Sequence, residues 1–177
     1  MIVFDGDSVV LQKGYGIDAE KSWPHLAAKG IPYVNVGVHM STAHDVHERL
    51  TGTLDFKPDW YVLQIGQWSQ NHEELSTFEY FVRKICERVN LKGVGIILVT
   101  PCVQVIEGLD PKPYVSVLEQ LSKIYRTQFV NTYTMLEKGG PTIDSLVVDD
   151  HSKCHFNEAG AILMAEYFNR SVNLDIV

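Results

Sequence analysis

Ile2-Val3-Phe4-Asp5-Gly6-Asp7-Ser8 reads as a buried strand that hands a serine to a turn. The β-branched and aromatic run favours a strand, and Asp-Gly-Asp stops it with turn residues. The next side chain is a hydroxyl, which suits either a helix cap or a nucleophile. Serine alone is a weak nucleophile. It needs a base within hydrogen-bond reach, a group that orients the base, and N–H donors for the oxyanion.

Working outward from this strand, apolar runs recur at Met1–Phe4, Tyr33–Val36, Trp60–Ile65, Val94–Thr100 and Phe129–Val130. Segments with helical spacing lie between them. Ser22-Trp23-Pro24 opens a helix through Lys29, with proline in its first turn and Gly30 beyond its end. A second runs from Thr42 to Leu50, closed by Gly52, and the longest from Glu73 to Val89. That one carries Leu75, Phe78, Phe81, Val82, Ile85 and Val89 as an apolar stripe. Helices over Lys112–Arg126 and Asn157–Asn169 complete the set. Strands that alternate with helices predict a flavodoxin-like three-layer α/β/α fold around a five-stranded parallel sheet. In such sheets ligands bind outside the carboxyl ends of the strands. Asp7-Ser8, Gly37-Val38-His39, Gly66-Gln67-Trp68 and Pro101-Cys102 therefore stand at the places that matter.

The 177 residues, 45% hydrophobic, suit one domain over 1–177 with a real core. A net charge of −7, without any Lys/Arg run, argues against a nucleic-acid partner. No apolar stretch approaches the roughly 18 residues of a membrane span, and the opening apolar run stops at Asp5, unlike a secretion signal. A cytoplasmic location is expected. Cys86, Cys102 and Cys154 are odd in number and widely spaced, so neither a disulfide framework nor a zinc knuckle is indicated.

Four blocks in order resemble the SGNH hydrolases, the GDSL esterases and lipases: Gly6-Asp7-Ser8, Asn35-Val36-Gly37, the stretch from Pro58 to Gly66, and His155-Phe156-Asn157-Glu158-Ala159-Gly160. The resemblance spans nearly the whole chain. It implies Ser8 as nucleophile, His155 as general base, and the Ser8 and Gly37 N–H groups as oxyanion donors. Read without the resemblance, both Ser8 and His155 also suit helix caps, and Gly37 also suits a turn that needs positive φ.

Two family positions are altered. Where the family has asparagine two residues after the block-three glycine, this chain has Trp68, with Ser69 following. Asn71 is the favoured replacement donor, with the Trp68 indole and the Gln67 amide as alternatives. Where the family has aspartate three residues before the histidine, this chain has Ser152, while Asp149 and Asp150 lie just upstream. Asp150 is the expected third member of the triad, and a Ser–His dyad is the alternative. His151, Cys154 and His155 with the two aspartates mix soft and hard ligands, so no metal is expected. Asp7, His39, Gln67 and Trp68 are expected around the pocket.

No large insertion interrupts the αβ units, which favours small acyl groups. His155-Phe156-Asn157 and the compact domain resemble the sugar-acetyl esterases of the SGNH family, and the resemblance implies hydrolysis of short-chain, acetyl-type esters, of a small molecule or a carbohydrate, with Trp68 available to stack on a sugar ring. A thioesterase or lysophospholipase of the same family is the alternative enzyme, and a non-catalytic SGNH-like binding module the alternative class. The chain lacks a Gly-rich or Ser/Thr-rich phosphate loop after the first strand, so a flavin is disfavoured and no cofactor is expected.

Overall fold

The computed structural model describes residues 1–12, 16–102, 110–135, 145–148 and 154–175. Its centre is a five-stranded sheet, β1 (Ile2–Gly6), β2 (Tyr33–Asn35), β3 (Trp60–Gln64), β4 (Gly95–Val99) and β5 (Gln128–Val130), in the order β2-β1-β3-β4-β5. Every pairing is parallel, with Phe4 opposite both Asn35 and Val62, and Val62 opposite Ile97. Among the described residues seven helices surround it: α1 (Ser8–Leu11), α2 (Trp23–Ala28), α3 (Ala43–Leu54), α4 (Ser69–His72), α5 (Leu75–Leu91), α6 (Lys112–Tyr125) and α7 (Glu158–Ser171).

Both faces of the sheet are covered, so the strands read as continuous apolar runs rather than as alternating ones. Side chains of period two divide them between two cores. Ile2, Phe4, Trp60, Val62, Ile97 and Val99 pack with Trp23 and Ala27 of α2 and with Met164 and Phe168 of α7. Val3, Tyr61, Leu63, Ile96 and Leu98 face α3, α5 and α6 through Val46, Leu50, Phe78, Val82, Ile85, Leu118 and Leu121. Phe4 meets Trp23 edge-on at 5.3 Å between ring centroids, a favoured aromatic geometry. Among the described residues no helix is long and apolar enough to cross a membrane.

The strand order fixes where a site can form. From β1 the chain goes to β2 on one flank, then returns past β1 to β3 on the other. The order reverses between β1 and β3, and in such sheets ligands bind outside the carboxyl ends of the strands at that point.

The expected strands and long helices are present, with three differences. Helix α3 does not stop at Gly52 but continues to Leu54. Its start is fixed by a capping box between Thr42 and Asp45, and Val46, Leu50 and Thr53 are buried. Burial of that face outweighs the roughly 1 kcal/mol that a mid-helix glycine costs. A 3-10 turn at Ala19–Lys21 and the short helices α1 and α4 were not expected, each being too short to show a period.

Candidate active site

Ser8 owes its place to the end of β1. Gly6 has φ +151, and a Cβ there would sit 1.9 Å from the Gln64 carbonyl oxygen of β3, so only glycine fits. Asp7 follows as the N-cap of α1, its Oδ1 accepting the Val9 N–H at 3.0 Å. Ser8 is thus the first residue of α1 rather than its cap, and its N–H has no intrahelical carbonyl to serve. The helix is pinned from behind, where the Trp23 indole N–H donates to the Val9 carbonyl at 3.1 Å and the Trp23 backbone N–H to Gln12 Oε1 at 2.7 Å.

His155 arrives from the other end of the chain. Residues 145–148 pair with it: the Val148 N–H donates to the His155 carbonyl at 2.8 Å, and the Asn157 N–H to the Leu146 carbonyl at 2.9 Å. Val147 and Phe156 form an antiparallel bridge. Asn157, not His155, caps α7, accepting the Gly160 N–H at 3.0 Å. The imidazole is left for the site. His155 Nε2 lies 2.8 Å from Ser8 Oγ, and both residues are buried, at 4% and 8% exposure.

Asp7 was expected to line the pocket. It is 1% exposed and works inward instead. Burial raises its carboxyl to about 6, while the backbone N–H groups of Val9, Trp68 and Gln67 and the charge of Arg49 act in the opposite sense. The carboxylate therefore ties the loop after β3 to the turn that carries Ser8, with Trp68 N–H 3.4 Å from Asp7 Oδ2.

Within that loop Gln67 is buried, its Oε1 accepting the Cys102 N–H at 3.1 Å and so joining the ends of β3 and β4. Trp68 is half-buried and stacks on His72 with ring centroids 3.9 Å apart. Asn71 lies exposed on α4, its backbone N–H turned onto the Trp68 carbonyl at 3.1 Å.

The Gly37 N–H donates to Asn35 Oδ1 at 3.0 Å, and Asn35 Nδ2 to the Val10 carbonyl of α1 at 2.8 Å. Gly37 is not among the residues with positive φ. Its glycine serves close approach, since a Cβ would stand 2.9 Å from the Leu11 nitrogen. His39 follows on an exposed stretch.

Beneath the turn lies a second polar group. Asp5, fully buried, accepts from Arg49 Nη2 at 2.6 Å, from the Tyr61 hydroxyl at 2.8 Å and from the Gly6 N–H at 2.8 Å. Arg49 also donates to the Gly6 carbonyl at 2.9 Å and to Ser41 Oγ at 2.8 Å. Burial nonetheless raises the Asp5 pKa against the pull of Arg49, and raises that of Tyr61 well above its usual value.

Asp149, Asp150 and His151 lie outside the described residues, and with them the expected acid of the triad. Among the described residues no three His, Cys, Asp or Glu side chains gather as a metal set. Sequence reasoning missed Asn35, Cys102, Arg49 and Tyr61 as supports. The first two were in view, Asn35 as the opening residue of its block and Cys102 at a strand end, and only their supporting roles went unread, whereas nothing in the spacing marks an arginine on α3 as the partner of Asp5.

No protein-family model and no curated protein matches the sequence. Solved structures do. A catalytic mutant of Axe2, an acetylxylan esterase from Geobacillus stearothermophilus, superposes with a TM-score of 0.75 at 22% identity, covering 96% of this chain and 92% of the other. The psychrotrophic esterase EstA from Pseudoalteromonas sp., inhibited by monoethylphosphonate, gives 0.77 at 17% identity over 96% and 94%. A member of the lipolytic protein G-D-S-L family from Veillonella parvula gives 0.73 at 19% identity over 94% of each chain. With its 2-1-3-4-5 sheet and a serine and histidine meeting at the β1 end, the chain has the fold of the GDSL lipolytic proteins, the SGNH hydrolase fold.

Proposed function

We propose that this protein is a serine ester hydrolase that removes short, acetyl-type acyl groups through an acyl-enzyme, with an acylated carbohydrate as the favoured substrate. The observation that carries the proposal is the 2.8 Å contact between His155 Nε2 and Ser8 Oγ, made by residues 147 positions apart. Neither side chain is used as a helix cap, because Asp7 and Asn157 do that work. A binding module that had lost its chemistry would have no need of this pairing.

In the proposed reaction Ser8 Oγ bonds to the acyl carbon while its proton passes to His155 Nε2. The tetrahedral intermediate collapses, the ester C–O bond breaks, and the departing alcohol takes the proton from His155. Water then adds to the acyl-enzyme by the same route in reverse, releasing the carboxylic acid and restoring Ser8. The Ser8 N–H is the first oxyanion donor. The Gly37 N–H is the second, trading the neutral Asn35 oxygen for the charged one, to which a hydrogen bond is stronger. Asp150 is the proposed orienter of the His155 ring.

The acetyl and carbohydrate parts of the proposal draw support from the likeness to an acetylxylan esterase and from the flat Trp68–His72 stack on the loop that Asp7 holds. Release of p-nitrophenol from p-nitrophenyl acetate and butyrate tests the reading. Acetate should turn over faster, and Ser8→Ala should lower kcat by about a thousandfold or more. Turnover that survives Ser8→Ala, or none on a panel of short esters including acetylated xylo-oligosaccharides, would sink it.

A further inference from the structure

Resting on that reading, we infer that the third oxyanion donor of this hydrolase is the side-chain amide of Gln67. Asn71, the asparagine nearest in sequence, sits exposed on α4. Gln67 is 5% exposed and stands on the loop between Gly66 and Trp68, where the order of the strands reverses. Three contacts define its posture. Its own backbone N–H and that of Trp68 engage the carboxylate of Asp7, the residue beside the nucleophile. Its Oε1 accepts the Cys102 N–H at 3.1 Å. Because a backbone N–H can only donate, that contact also decides which end of the amide is oxygen.

The other end is left over. Gln67 Nε2 is buried and has no hydrogen-bond partner among the described residues. An unpartnered buried donor is unfavourable, and proteins seldom keep one without a use. A transient anion beside Ser8 supplies that use: the amide is held rigid by its oxygen, and its N–H groups wait for charge that develops only in the transition state. Such fixed donors need no reorganisation as the reaction proceeds. Gln64 lies near the same place, its Nε2 3.6 Å from Cys102 Sγ, and its Oε1 is also buried without a partner among the described residues. Being an acceptor, that oxygen offers an oxyanion nothing. Gln12 Nε2 is likewise buried with no partner among the described residues, its Oε1 held by the Trp23 N–H, but it stands at the far end of α1, whereas Gln67 stands on the loop that meets Asp7 beside Ser8.

Two variants separate the donor from its scaffold. Gln67→Glu keeps an oxygen for the Cys102 N–H and removes the N–H groups, and Gln67→Met removes both functions without adding charge. With p-nitrophenyl acetate, both should lower kcat by about a hundredfold or more. KM should stay within about threefold. Thermal melts show whether either is unfolded, in which case the other carries the test. Turnover by Gln67→Glu within about threefold of wild type would overturn the assignment, because the oxygen alone would then suffice. So would loss in Gln67→Glu with wild-type turnover in Gln67→Met, which would mark the added charge as the cause. A hundredfold loss in Asn71→Ala while both Gln67 variants stay active would move the role to Asn71. If the wild type shows no Ser8-dependent turnover at all, the hydrolase reading itself fails and takes this inference with it.

Discussion

Asp7 makes a demand at the residue scale that its neighbours only partly meet. Three backbone N–H groups point at its carboxylate, yet burial still raises the group from 3.8 to about 6. The folded protein therefore holds this proton more tightly than the unfolded chain does. By linkage, the stability Asp7 contributes is fully present below about pH 4 and is lost as pH rises through about 6. The rise from 3.8 to about 6 corresponds to about 3 kcal/mol. Asp5 is raised as well, so the wild-type slope contains both groups, and comparison with Asp7→Asn isolates one. Urea unfolding of both proteins at about pH 4.5 and about pH 7.5 should show wild type losing about 2 kcal/mol more than the variant over that interval. Equal losses would mean that Asp7 is solvated in the folded state.

At the scale of elements, Arg49 couples three of them. From α3 it reaches Asp5 and the Gly6 carbonyl at the end of β1, and Ser41 in the connection that follows β2. Gly6 in turn accepts the Val38 N–H at 3.1 Å, so the stretch that carries Gly37 hangs on the same carbonyl. Removing one member of a buried pair leaves the other charge uncompensated, which costs more than the pair is worth as a whole. Arg49→Met should destabilise by about 3 kcal/mol, and the double variant with Asp5→Asn should recover part of the loss. Chemical denaturation of the four proteins in the cycle measures both numbers. An Arg49→Met effect under about 1 kcal/mol would place the pair with ordinary surface ion pairs. None of this was legible in the sequence. Periodicity places Arg49 on a helix and Asp5 at a strand end, but a pairing across 44 positions depends on how α3 lies on the sheet, which spacing does not encode.

Across the whole molecule, the parts legible beforehand were those written in local chemistry. Parallel strands buried on both faces leave unbroken apolar runs, so β1 to β5 stood out, as did the strand-end residues Ser8, Gly37 and Gly66. What stayed hidden depends on which loop meets which: that Asp7 gathers the Gln67 and Trp68 N–H groups, that Cys102 fixes the Gln67 amide, and that Asn71 faces outward. The two cores offer a test of how firmly these parts are joined. Cys86 lies in the core under α5, while Cys102 and Cys154 lie in the opposite core beside the site. All three thiols are buried and none forms a disulfide among the described residues, and burial pushes Cys86 and Cys102 up to about 12. Thiolate is the reactive form, so a thiol reagent at about pH 8 should label the native protein only through opening. If the sheet binds both faces into one cooperative unit, the three cysteines should label at one common rate, and added urea should raise all three alike. Mass-spectrometric mapping of the labelled peptides reads each site separately. Labelling of Cys102 and Cys154 well ahead of Cys86 would show instead that the site opens on its own, while the α3–α5 core stays closed beneath it.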